Sequence, residues 1–240
     1  MPETFLAPPK TSPVTSNVLK LIAIITMMID HIGFVIFPQY RFLRAIGRIA
    51  FPIFIFMLVE GFYYTHDRRF YLLRLFVFSW ISEVPFDLGL YGEMVHPQKS
   101  NVFFTLCIGF VVMLLANFLF SADTRKFRFP AISYGALLGI MACIILADLL
   151  HTDYGSYGVV AIGVCFLARH FNVHRILRFA AVVAVLCISN TFEAWAFVAL
   201  PFIWLYTGKL GQKNPVIQYG SYLFYPVHLM VLAFIRMAGY

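Results

Sequence analysis

Residues 18–37 read VLKLIAIITMMIDHIGFVIF, an apolar run that carries Asp30 and His31 inside it. A helix needs ~20 such residues to cross a ~30 Å hydrocarbon layer at ~1.5 Å per residue. Working outward, the chain repeats the pattern at 45–64, 70–90, 102–120, 131–149, 156–169, 176–190, 193–207 and 219–238. These runs are continuously apolar rather than alternating, which favours helices over a transmembrane β-barrel. The expectation is an all-α, polytopic transmembrane helix bundle of about nine spans, with eight to ten admitted because the sixth to eighth runs are short. One helical domain over 18–240 follows a polar segment, 1–17, that holds Pro2, Pro8, Pro9 and Pro13 and reads as a flexible cytoplasmic tail. No cleavable signal is expected, since the first apolar run is long and contains charge.

Composition points the same way. Of the 240 residues, 61% are hydrophobic and only 12% charged, against about 45–50% and ~25% in soluble domains. A soluble fold of this length has no means of hiding so much apolar surface. Disorder and a disulfide-built secreted domain are excluded. The four cysteines, Cys107, Cys143, Cys165 and Cys187, lie in apolar runs without a C-x-x-C pair and read as core packing.

The net charge of +7 would raise nucleic acid in a soluble protein. In a membrane chain it reflects basic cytoplasmic loops, and no nucleic-acid partner is expected. With nine spans, 13 of the 18 Lys and Arg fall on the N-terminal side of the membrane and five on the other. That bias predicts a cytoplasmic N-terminus and an external C-terminus. Arg41, Arg44 and Arg48 break the rule, either through a misplaced span or through a cationic site near the outer face.

Ionisable groups inside spans are costly and mark functional candidates. Asp30 and His31 lie in the first span, Arg48 and Glu60 in the second, Glu83 and Asp87 in the third, and His228 in the last. Glu83 and Asp87, four apart, share a helix face. Pro85 between them removes one backbone hydrogen bond and is expected to kink the helix beside a polar pocket. Counted along the helices, Asp30, His31, Arg48, Glu83 and Asp87 fall at similar depth in the outer third of the bilayer. Such a cluster serves either as a buried polar knot that fixes packing or as a site for general-base or proton chemistry. Asp148, His151 and Asp153 match no standard ligand spacing, and no metal is expected. Tyr154-Gly155-Ser156-Tyr157-Gly158 reads as a turn.

Several segments together resemble one family. They are LKLIAIITMMIDHIG at 19–33, RAIGRIAFPIFIF at 44–56, SEVPFDL at 82–88, NVFFTL at 101–106, DYGSYGV at 153–159 and FYPVHL at 224–229. In this order they resemble the TraX family of bacterial multi-pass membrane proteins, over most of the chain. The resemblance implies an inner-membrane acetyltransferase that uses acetyl-coenzyme A, the founding member modifying the N-terminus of a conjugative pilin. It also implies distant kinship with membrane acyltransferases whose central histidine lies in an early span, a position that His31 matches by location.

On that basis His31 is the expected general base or acyl acceptor, with Asp30, Glu83 or Asp87 orienting its ring. Arg41, Arg44, Arg48, Asn101 and His228 are expected to face the acceptor or the developing oxyanion. Arg68, Arg69, Arg125, Lys126 and Arg128 are expected to hold the coenzyme A phosphates. The acceptor is a pilin or another cell-envelope molecule. A proton-coupled transporter or flippase, and a non-catalytic scaffold for pilus assembly, are the alternative readings; the missing inverted repeat weighs against the transporter.

Overall fold

A computed structural model describes residues 12–120, 130–209, 211 and 215–239. Among these residues ten α-helices follow one another: α1 (Ser16–Val35), α2 (Arg41–Gly47), α3 (Ala50–Tyr64), α4 (Arg68–Phe86), α5 (Val102–Phe120), α6 (Pro130–Leu149), α7 (Gly155–His170), α8 (Arg175–Ser189), α9 (Leu200–Leu205) and α10 (Pro215–Met237). A π-helical turn, Asp87–Tyr91, extends α4, and a 3-10 helix, Thr191–Ala199, leads into α9. Among the described residues the one β-type pairing is an isolated parallel bridge between Ser100 and Thr152.

Among the described residues four stretches are long and apolar enough to cross a membrane: Ser16–Val35, Arg41–Tyr64, Val102–Phe120 and Gly220–Met237. Two shorter apolar helices cover Ser133–Leu149 and Thr191–Leu205. The expected nine runs therefore all carry helix, but among the described residues only these four combine the length and the hydropathy of a span. The 3-10 helix helps to explain the short eighth run. At ~2.0 Å rise per residue, against ~1.5 Å for an α-helix, it stretches fewer residues further. Large apolar side chains face outward, including Leu138 at 70% and Ile188 at 72% exposure, as a lipid-facing surface requires.

Helix α3 is the axis. It packs against α1, α5, α7, α8 and the 3-10 helix, and 61% of the apolar stretch it forms with α2 is buried, against 33% for α1 and for α10. One core gathers Phe62, Phe110 and Phe166, with ring centroids 5.3 and 5.4 Å from Phe62. A second packs Phe56, Phe179 and Tyr206.

Two expectations are revised. Arg41 and Arg44 were placed in a loop, but they lie on α2, which leads almost directly into α3. The run therefore begins four residues before the expected 45. Residues 12–17 were placed in a flexible tail. Ser12 Oγ instead donates to the Leu205 carbonyl (2.5 Å), Thr207 N to Val14 (2.9 Å) and Ser16 N to Lys209 (2.9 Å), and α1 starts at Ser16. Residues 1–11 lie outside the described residues. Pro85 lies inside α4, and two residues later the helix relaxes into the π turn, where Gly92 N donates to Asp87 O at 3.0 Å.

Candidate functional site

Adjacent helical residues diverge by ~100°, so Asp30 and His31 serve different neighbours. Asp30 turns to α2. Its Oδ2 accepts from Arg44 Nη1 at 2.5 Å, and both oxygens accept from Arg48 Nη2, at 2.8 and 2.9 Å. Arg48 Nη1 reaches the other way, to Glu193 Oε1 on the 3-10 helix at 2.9 Å. One guanidinium thus bridges two buried carboxylates, a geometry that suits its planar fork. Gly47 makes the approach possible: a Cβ there would lie 2.1–2.4 Å from the Asp30 side chain.

His31 turns to α10. Its Nδ1 lies 2.8 Å from His228 Nε2, and His228 Nδ1 lies 2.8 Å from the Phe224 carbonyl. A carbonyl only accepts, so His228 Nδ1 carries the proton. In a neutral ring, His228 Nε2 is then the acceptor, and His31 Nδ1–H donates to it. The tautomer of His31 follows: Nε2 keeps its lone pair. The two rings are parallel within 4°, and Phe224 stacks on the far side of His228 at 4.9 Å.

Part of this set borders a cavity of about 110 Å³. Asp30, His31, Arg44 and Arg48 form part of its wall, with Phe51, Tyr91, Lys99, Asp153, Tyr154 and Tyr225. Lys99 Nζ and Asp153 Oδ1 pair at 3.0 Å. With Glu193 behind Arg48, three cations face three carboxylates. The volume accommodates a small acyl group and a short stem, well below the ~300 Å³ at which drug-sized ligand sites begin.

The other expected residues lie elsewhere. Glu83 Oε2 accepts from Asn101 N (3.0 Å) and Nδ2 (2.5 Å), while Asn101 Oδ1 caps α5 through Phe103 N (2.9 Å). Asp87 Oδ2 accepts from His96 N at 3.0 Å. Both acids therefore hold the 92–101 loop, and the ring of His31 is oriented by His228 rather than by Asp30, Glu83 or Asp87. Arg41 is exposed, its guanidinium 5.8 Å from the Phe192 ring. Arg68 donates from Nε to the Phe62 carbonyl (3.3 Å) and covers that ring, and Arg69 is exposed. Both start α4, whereas Phe86 at its end lines the cavity, so ~27 Å separates them along the helix. Arg125, Lys126 and Arg128 lie outside the described residues.

Glu193, Lys99, Asp153 and Tyr154 were not among the expected site residues. Glu193 carried a usable signal, as an ionisable group inside the eighth apolar run. Asp153 opens the DYGSYGV segment but was weighed only for a metal, and Lys99 carried no signal, because it sits in a polar loop and only the fold brings the two together.

Comparison with known proteins agrees with the sequence motifs. The chain is 26% identical over 246 aligned positions to a probable fimbrial assembly protein FimC, serogroup H1, of Dichelobacter nodosus, covering 91% of this chain and 94% of that protein. It is also 26% identical over 156 positions to an uncharacterized protein of Rickettsia prowazekii (strain Madrid E), covering 64% and 56% of the two chains. No solved structure matches. The family model described as TraX protein matches residues 15–236, a span that contains the paired histidines, the arginine-bound Asp30 and every wall of the cavity, and the chain belongs to the TraX family.

Proposed function

We propose that this protein is a multi-pass enzyme of the bacterial inner membrane that transfers an acetyl group from acetyl-coenzyme A to an amine or hydroxyl acceptor. The observation that carries the proposal is His31: a cavity-lining imidazole whose Nδ1 is engaged by His228, leaving Nε2 as the basic atom. The name of the Dichelobacter relative, a fimbrial assembly protein, supports a pilin N-terminus as the acceptor.

In this reading His31 Nε2 takes a proton from the acceptor as its nitrogen or oxygen attacks the thioester carbonyl carbon. His228 accepts a hydrogen bond from Nδ1–H and so keeps the ring in that tautomer. Arg48, held in place by Asp30 and Glu193, offers positive charge to the carbonyl oxygen as it becomes negative. Collapse re-forms the carbonyl and expels the thiolate, which takes the proton back from His31. The nucleotide end of the donor is too large for the cavity and extends out of it.

The test is transfer of label from acetyl-coenzyme A to a peptide with a free N-terminus by the purified protein. His31→Ala should cut turnover at least ~100-fold, the low end for removal of a general base, while the protein remains folded. Full activity in folded His31→Ala, or no transfer by the unaltered protein, would refute the proposal.

A further inference from the structure

Tyr154 has a backbone conformation that a residue of its size rarely adopts. Its φ of 66° and ψ of −8° lie in the left-handed region, where any Cβ is strained and a bulky ring is a genuine outlier. It also sits at the N-cap of α7 without capping it, although Ser, Asp or Asn there would supply a hydrogen bond. Local structure alone therefore argues against tyrosine at this position.

The surroundings nonetheless fix it. Asp153 N donates to Ser100 O (2.8 Å), Gly155 N to Thr152 O (2.8 Å) and Gly158 N to Tyr154 O (2.9 Å). Asp148 Oδ1 accepts from Ser156 N at 2.7 Å. A Cβ at Gly158 would fall 2.8 Å from that of Tyr154, so the glycine makes room for it. The ring lies flat on Phe51, centroids 3.7 Å apart and planes 13° from parallel, and it forms part of the cavity wall. Among the described residues no group hydrogen-bonds its hydroxyl, although Arg48 is within electrostatic reach. Strain that the surroundings over-determine, around an uncommitted polar group in a cavity, is a mark of function.

We propose that Tyr154 is a catalytic residue whose phenol donates a hydrogen bond to the thioester carbonyl oxygen as the acceptor attacks. This rests on the acetyl-transfer reading above. The proton stays on the phenol throughout. The carbonyl electron pair moves onto oxygen during attack, is stabilised there by Tyr154 and Arg48, and returns when the carbon–sulfur bond breaks.

Tyr154→Phe keeps the ring, its stacking and its volume and removes only the donor. Against labelled acetyl-coenzyme A, kcat should fall ~100-fold or more, as for loss of one oxyanion donor, with KM within about twofold of the unaltered protein. A kcat within about threefold of the unaltered protein, or a change confined to KM, overturns the assignment. No transfer by the unaltered protein removes the reaction itself, whereas an active parent with an equally active variant removes only the role of Tyr154. Should Tyr154→Phe not fold, a fluorinated tyrosine at 154 keeps ring and hydroxyl but makes the phenol more acidic. The alkaline limb of its kcat profile should then move to lower pH, and an unmoved limb overturns the proposal.

Discussion

Two arginine–carboxylate knots flank α3, and they are built differently. Near its start, Arg44 and Arg48 meet Asp30 and Glu193 beside the cavity. Near its end, Glu60 Oε1 accepts from Arg178 Nη1 at 2.8 Å and from Arg169 Nε at 3.1 Å. Twelve residues of sequence, ~18 Å of helix, separate Arg48 from Glu60. In the second knot aromatic rings cover the guanidinium groups, Phe56 lying 5.1 Å from Arg178 and Tyr63 5.0 Å from Arg169, and Glu60 and Arg178 are only 7% and 6% exposed. It ties α3 to α7 and α8. Each knot has one partly open arginine, Arg44 with 29% of its side chain exposed and Arg169 with 28%, so the difference lies in the other one: Arg48 keeps 15% open and lines the cavity, whereas Arg178 keeps only 8%. The same ion-pair chemistry serves as a buried cross-link in one place and borders an open cavity in the other.

The strongest test of that contrast is Glu60→Ala. It would leave Arg178 buried without its carboxylate and should destabilise the bundle by about 3–5 kcal/mol, read as loss of folded protein on heating in detergent. A change below ~1 kcal/mol would erase the distinction between the knots. Gly47→Ala is the matching perturbation of the open knot. The new Cβ must displace the Asp30 carboxyl, and the expected cost is about 1–3 kcal/mol, the range for overpacking, accompanied by loss of acetyl transfer. Retained transfer would show that the position of Asp30 does not govern the cavity.

The smallest effect is expected at the Lys99–Asp153 pair on the cavity rim. The Asp153 carboxylate beside Lys99 raises the amine above its ordinary value, outweighing the opposite effect of burial. A raised folded-state value means that the contribution is complete below the unfolded lysine value of ~10.4 and is lost only as pH climbs through the folded one. With Lys99 45% exposed, Lys99→Ala should cost less than ~1 kcal/mol, evenly from pH 6 to 9. A difference that varied strongly across that window would mean that another group controls the rim.

Much of this was legible in the chain, for identifiable reasons. Long apolar runs announce spanning helices because the bilayer fixes their length, and Asp30, His31 and Arg48 stood out because charge in such runs is costly. The partners did not stand out in the same way. His31 and Asp30 are adjacent in sequence, and only helical geometry sends one to α10 and the other to α2. Glu83 and Asp87 have the spacing of a catalytic pair, yet Asn101 and His96 N claim them, and those contacts depend on how the 92–101 loop folds back. The turn expected over Tyr154-Gly155-Ser156-Tyr157-Gly158 ends at Tyr154, where the helix Gly155–His170 begins, and that reading is silent about the ring.

The bond between His31 and His228 spans 197 residues. At ~5–20 residues per second of synthesis, roughly 10–40 s pass between the emergence of the two rings. Through that interval the first helix carries an imidazole whose tautomer nothing fixes. Formation of α10 thus sets the protonation of a ring made far earlier, so a chain cut short before α10 would hold its arginine knots and leave the His31 tautomer unset.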